Sequence, residues 1–241
     1  MVHLNEIRTH LDRLIKPQGS LGQWETLAER LCLVQQSLQP LVRPAELVIF
    51  AADHGVVESG VTLWPSMVTT VMIEQIAQGK SAAAVLAQLY GLDYRIVDVG
   101  TVIPPRITHP RLSLRRIAPG TKNLLKESAM TVDEFREALF VGEDEAKLTL
   151  LRGAKVVIAG DMGIGNTTSA SCIARLLADV PLEHVVGNGA GANEQSLEKK
   201  LSAVQISIDC RSLGTTRFTI SAQDRVSFLN RSQSRGTWRP S

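Results

Sequence analysis

Three glycines, Gly160, Gly163 and Gly165, lie between an apolar run and a helix-compatible stretch in VVIAGDMGIGNTTSASCIARLL, residues 156–177. A strand that runs into glycines and then a helix start exposes backbone N–H groups and the positive end of a helix dipole. Chains hold phosphate in this way. Thr167 and Thr168 add hydroxyl donors at the expected helix start. The segment is not a Walker A loop, because no Gly-Lys-Ser/Thr follows, and it is not a clean dinucleotide fingerprint. The same residues also read as a plain strand-to-helix connection with Thr as a cap.

Two further segments have the same character. FAADHGVV, residues 50–57, places Asp53, His54 and Gly55 directly after an apolar run. In open parallel sheets ligands bind beyond the carboxyl ends of the strands, so this pair is placed to meet one. A charged loop in which Asp53 caps the next turn is the simpler reading. VVGNGAGANE, residues 185–194, has glycines at 187, 189 and 191, where backbone can approach a ligand closely. Lys200 could reach such a pocket as a flexible cation, or it could be one of the many helix lysines that are simply solvated. Three Gly-rich turns after three expected strands would line one edge of one sheet and suggest a nucleotide or sugar-phosphate pocket.

Such turns need elements to position them. Residues 1–45 read as a helical N-terminal segment of a small subdomain. Ser20 and Gln23 fit a capping box, and Trp24, Leu27, Leu31, Val34 and Leu38 recur at helical spacing. Residues 46–205 read as the α/β core. Strands are expected at Leu47–Ala51, Tyr94–Val99, Lys155–Ala159 and Glu183–Val186. Helices are expected after Pro65, over Ala82–Tyr90, from the Thr131/Glu134 capping box to Arg152, over Ser169–Ala178, and after Asn193. Residues 101–120, with four prolines, read as a long loop. The alternation predicts an α/β fold with a doubly wound, mostly parallel, Rossmann-like sheet and a small helical subdomain.

Residues 206–241 form an atypical tail, expected to be disordered. They hold six Arg and seven Ser against two Asp, with no Lys and no Glu, although TRFTI, residues 216–220, could make a short strand. The whole chain has 241 residues and a formal net charge of +2, with 4% aromatic residues. Neither a basic patch nor aromatic stacking platforms are implied, so no nucleic-acid partner is expected. Cys32, Cys172 and Cys210 are far apart and lack CxxC spacing, which fits buried thiols in a reducing cytoplasm. No apolar run is long enough for a membrane span, no signal peptide is read, and no metal site or cofactor is expected.

LDRLIKPQGSLGQWETLAERL, AADHGVVESGVTLWPSMVTTVM, VDVG, AGDMGIGNTTSASCIA and VGNGAGANEQSLEKKLSAV together resemble nicotinate-nucleotide:dimethylbenzimidazole phosphoribosyltransferases over about residues 4–205. The resemblance implies transfer of phosphoribose from nicotinate mononucleotide to 5,6-dimethylbenzimidazole in cobalamin nucleotide-loop assembly, by a homodimer. It implies that Gly163, Gly165, Asn166, Thr167 and Thr168 hold the phosphate and ribose, and that Lys200 serves as the phosphate-side lysine. Asp161 stands where many members carry glutamate, and Ser66 and Gln75 would wall the benzimidazole pocket. The family's catalytic glutamate lies in a later segment with no counterpart in 206–241. The C-terminal part of the family fold is therefore expected to be missing, through truncation or a shifted frame. The alternative is a catalytically inactive fragment that only binds nicotinate mononucleotide or a similar phosphorylated ligand.

Overall fold

The computed structural model describes residues 1–178, 180–190 and 194–212. These divide into two compact units, one over Met1–Arg43 and one over the described residues from Pro44 onward. The first unit holds α1 (Leu4–Asp12) and α2 (Gln23–Gln35). Ser20 does not cap α2. The N-cap is Gly22 at φ 54°, preceded by Gly19 at φ 72°, so the chain enters the helix through left-handed glycines. Only the acidic half of a capping box survives, in shifted register, where the Glu25 carboxylate accepts from the Leu21 N–H at 3.1 Å.

The second unit is built on four strands, β1 (Ala45–Ala52), β2 (Asp93–Gly100), β3 (Leu112–Leu114) and β4 (Val156–Met162). All pair in parallel, in the order β3-β2-β1-β4. The helices are α3 (Met67–Ala77), α4 (Ala82–Leu89), α5 (Val132–Leu151), α6 (Asn166–Ala178), α7 (Leu182–Val185) and α8 (Glu194–Ser212). The period of two along the strands sorts side chains between the faces. Ile49, Ala51, Tyr94 and Ile96 pack with Ile73, Ile76, Ala77, Ala84 and Ala87 of α3 and α4. Val48 and Val97 turn the other way, onto Val141 of α5. Helices on both faces make the sheet doubly wound. Each fully buried aliphatic side chain contributes about 1.5–3 kcal/mol.

Several boundaries depart from expectation. β4 continues through Gly160 and Asp161 to Met162, because the missing side chain of Gly160 lets the strand lie against Ile49 of β1. β3 is a strand inside the expected loop, too short at three residues to show a period. Glu183–Val186 is not a strand. Pro181 caps a single helical turn there, and no strand among the described residues flanks the far edge of β4. The chain also stays helical past 206, to Ser212. The expected cap Asn193, Gly191 and the TRFTI segment lie outside the described residues. No helix among those described is long and apolar enough to cross a membrane.

A third cluster sits beyond the carboxyl ends of the strands. Val56, Val61, Leu124, Cys172 of α6 and Ala203 and Val204 of α8 are packed together. Burial pushes the Cys172 thiol up to about 11. Beneath the sheet's other end, Glu46 of β1 is 4% exposed and accepts two hydrogen bonds from Arg152, at 2.9 and 2.7 Å. The pair anchors the end of α5 to β1.

The Thr131/Glu134 capping box is present, with the Thr131 N–H donating to Glu134 at 2.6 Å and the Glu134 N–H donating to Thr131 Oγ1 at 3.2 Å. Thr131→Ala is expected to lower unfolding free energy by about 1 kcal/mol. Glu46→Ala is expected to lower it by about 2 kcal/mol, because it removes the charge-assisted hydrogen bonds that fasten Arg152 to β1. Urea denaturation monitored by circular dichroism would compare the two, and equal losses would refute this ranking.

Candidate active site

The strand order reverses at β1, whose neighbours are β2 on one side and β4 on the other. The crevice between the carboxyl ends of β1 and β4 is therefore the topological switch point, where open α/β sheets bind ligands. His54 leaves β1 at this point and Gly163–Gly165 leave β4 there. The two turns nearly touch. A Cβ on Gly163 would overlap the Ala52 carbonyl oxygen and lie 3.2 Å from His54 Nε2. Gly165, at φ +87°, would put a Cβ 2.8 Å from Val57 and 3.4 Å from His54 Cβ. Both positions thus require glycine, the second twice over.

His54 Nδ1 lies 3.2 Å from Ser169 Oγ, so the imidazole bridges the end of β1 to the first turns of α6. Burial lowers its pKa, and the nearby Asp161 and Asp53 carboxylates oppose that shift. Asp53 itself faces inward. It is 1% exposed, and its Oδ2 accepts from the Val102 N–H at 2.8 Å. Its backbone completes the clamp, with the Asp53 N–H donating to Gly100 and the Thr121 N–H donating to Asp53. Gly55 is needed for close approach, since a Cβ there would meet the backbone of residues 121–123 at 2.6 Å. Asp53 therefore lies under the crevice and fixes the start of the loop after β2 through Val102. Asp53 and Gly55 together hold the segment after β3 through residues 121–123.

On the β4 side, Asp161 is exposed, and its Oδ2 accepts from Asn166 Nδ2 at 2.8 Å. The Thr168 hydroxyl is buried and has no hydrogen-bond partner among the described residues. Thr167 behaves differently. Its Oγ1 accepts from Lys200 Nζ at 2.8 Å, and the same ammonium donates to the Gly187 carbonyl at 2.7 Å. Gly189, at φ +66°, would bring a Cβ within 3.5 Å of that nitrogen. Lys200 is therefore not a solvated helix lysine: the residue is 2% exposed. Burial lowers its pKa. Among the described residues both of its hydrogen-bond partners are neutral oxygens, so no carboxylate offsets its charge. A cleft of about 420 Å³ opens beside it, lined by Thr167, Ser171, His184, Gly187 and Gly189 among others.

Two working residues escaped the sequence reading. Ser171 Oγ lies 2.7 Å from the carbonyls of both Thr167 and Val185 and ties the 185–187 segment to α6. Its only signal was a spacing of four from Thr167. Thr69 of α3 is fully buried and accepts from the Ile164 N–H at 3.1 Å, 95 residues away, which no local pattern encodes. Ser66 and Gln75 are not brought to one wall. Ser66 starts α3 while Gln75 lies nine residues on, about 14 Å along the axis and half a revolution round, on the side away from the sheet.

Comparison with known proteins gives the chain a family and a fold. Residues 2–229 match a family described as phosphoribosyltransferase, so the match continues past 205, where the quoted motifs end. The nicotinate-nucleotide–dimethylbenzimidazole phosphoribosyltransferase of Pseudomonas fluorescens (strain SBW25) is 40% identical over 80% of this chain and 55% of its own length. The enzyme of the same name from Prosthecochloris aestuarii is 36% identical over 86% of this chain and 58% of its own. The crystal structure of CobT from Thermus thermophilus superposes with a TM-score of 0.80 at 37% identity, over 84% of this chain and 61% of that one. The chain spans little more than half the length of the curated relatives it matches. With nearly all its residues inside the family match, and a sheet that superposes on a solved member, the chain belongs to the phosphoribosyltransferase family of the nicotinate-nucleotide–dimethylbenzimidazole enzymes.

Proposed function

We propose that this chain carries a site for moving phosphoribose from nicotinate mononucleotide to 5,6-dimethylbenzimidazole, giving α-ribazole 5′-phosphate and nicotinate. The observation that carries the reading is the buried Lys200 ammonium beside the N-terminal turn of α6, whose hydrogen-bond partners among the described residues are neutral oxygens. A cation held out of water without a counter-anion favours a dianionic phosphate strongly. The helix N-terminus adds backbone donors and its dipole. In this reading Gly163, Gly165, Asn166 and Thr167 shape the phosphate and ribose seat, with Gly187 and Gly189 closing it. Asp53 and Gly55 hold the floor of the site, and His54 ties the two turns together through Ser169.

Displacement at the anomeric carbon builds positive charge on the ribose as nicotinate leaves. A carboxylate facing that carbon stabilises the transition state, and Asp161, oriented by Asn166, is the group on this turn able to do so. The attacking benzimidazole nitrogen becomes a better nucleophile when a base takes the proton from its partner nitrogen. The names of the relatives support the substrates, the resemblance supports a homodimer, and cysteines without CxxC spacing support a reducing cytoplasm. The alternative is a site that binds nicotinate mononucleotide or a similar phosphorylated ligand without turnover, which the seat around Lys200 would allow by itself.

Purified chain mixed with both substrates should form α-ribazole 5′-phosphate above a no-protein control, read by chromatography. Folded chain that binds the nucleotide but yields no product would establish the alternative. Lys200→Met keeps the volume and removes the charge, and should weaken nicotinate mononucleotide binding by about 10–100-fold in calorimetric titration. A loss under about threefold would remove Lys200 from the phosphate seat. For His54 the folded-state pKa lies below the unfolded value of about 6.5, so its neutral form stabilises the fold above that value. That stability is lost as pH falls toward the folded pKa. The urea midpoint should therefore drop below about pH 6.5 in the parent and drop less in His54→Gln, and parallel pH profiles would assign the effect to other groups.

A further inference from the structure

We propose that Thr69 is a positioning residue that transmits occupancy of the acceptor-base pocket to the phosphate-holding turn. The inference rests on the reading that the first turn of α3 walls the base and the turn after β4 holds the phosphate. Thr69 Oγ1 accepts the Ile164 N–H at 3.1 Å, with both groups buried. That bond sets the tilt of the Gly163–Ile164 peptide, in the tightest part of the crevice, where Gly163 lies against the Ala52 carbonyl.

The same helix holds the loop that follows β2. Thr70 Oγ1, next in sequence, donates to the Ile103 carbonyl, and the Glu74 carboxylate accepts from the Arg106 N–H at 2.8 Å. Asp53 grips that loop from β1 through Val102. α3 is thus bonded to the segments following both β2 and β4, but to the β4 turn through Thr69 alone among the described hydrogen bonds. A ligand that shifts or stiffens the start of α3 therefore acts on the Ile164 amide directly. Because coupling is reciprocal, phosphate-side occupancy must tighten base binding by the same factor.

The test is calorimetric titration of ribose 5-phosphate, a phosphate-side ligand with no nicotinate to displace, into the full chain, with and without saturating dimethylbenzimidazole, for the parent, Thr69→Ser and Thr69→Val. Each ligand is expected to strengthen the other at least about fivefold in the parent and in Thr69→Ser, which keeps the hydroxyl. In Thr69→Val both ligands should still bind, with a coupling factor near one. Coupling that persists in Thr69→Val, or parental binding of both ligands without coupling, overturns the proposal. Absence of binding by either ligand overturns the phosphoribosyl reading, and this inference with it. Should Thr69→Val not fold, the Ile164 amide of the parent gives an independent readout. Adding dimethylbenzimidazole alone should slow its hydrogen exchange, and an unchanged rate overturns the proposal.

Discussion

The site depends on one close approach, where the backbone leaving β4 passes against the carbonyl of Ala52 at the end of β1. Parallel strands can bring their exit turns this near only where side chains are absent, and Gly163 meets that condition. The contact sets the height of Ile164 and the start of α6, and therefore where the α6 N–H groups point. Most other features of the second unit serve to hold the two strand ends in that relation. The β1–β4 register runs unbroken from Ala45–Val156 to Ala51–Met162. Asp53 fixes the β2 exit on one side, and Thr69 pins the β4 turn from above.

Around that contact the charges divide into two kinds. Glu46 is buried and meets Arg152, whose side chain is partly exposed, and the pair fastens an edge of the core. Lys200 is buried too, but toward neutral oxygens. The first arrangement is complete within the chain, and in the second the hydrogen-bond partners among the described residues bring no opposite charge. A ligand supplying negative charge there removes a desolvation cost the protein already carries in its empty state, so binding strength is stored in the fold.

Much of this was legible in the residues. The strands at Leu47–Ala51 and Tyr94–Val99 are short β-branched runs closed by turn residues, and the Thr131/Glu134 box marks its helix unambiguously. The glycine-rich turn between β4 and α6 announced itself through glycine spacing. What stayed hidden was set by distance along the chain or by shortness. Gly160 and Asp161 read as turn residues, yet pairing with Ile49 and Phe50 extends the strand through them. β3 exists because Ile96–Asp98 offer it an edge. Lys200 looked like any helix lysine until Thr167 and Gly187 closed over it. Ser66 and Gln75 come from one motif yet lie on different sides of α3, because a motif gives order along the chain while a helix decides the side.

Cys172 lies in the seam where α6 packs on α8, the same two helices that carry Thr167 and Lys200. With its thiol pushed up to about 11 and its surface buried, it carries almost no thiolate at neutral pH and offers alkylating reagents no route of attack. Only when the helices part does it become reactive. The residue is a built-in clock: the rate at which a thiol reagent consumes it counts how often this seam opens, and an anion seated on Lys200 would slow the count.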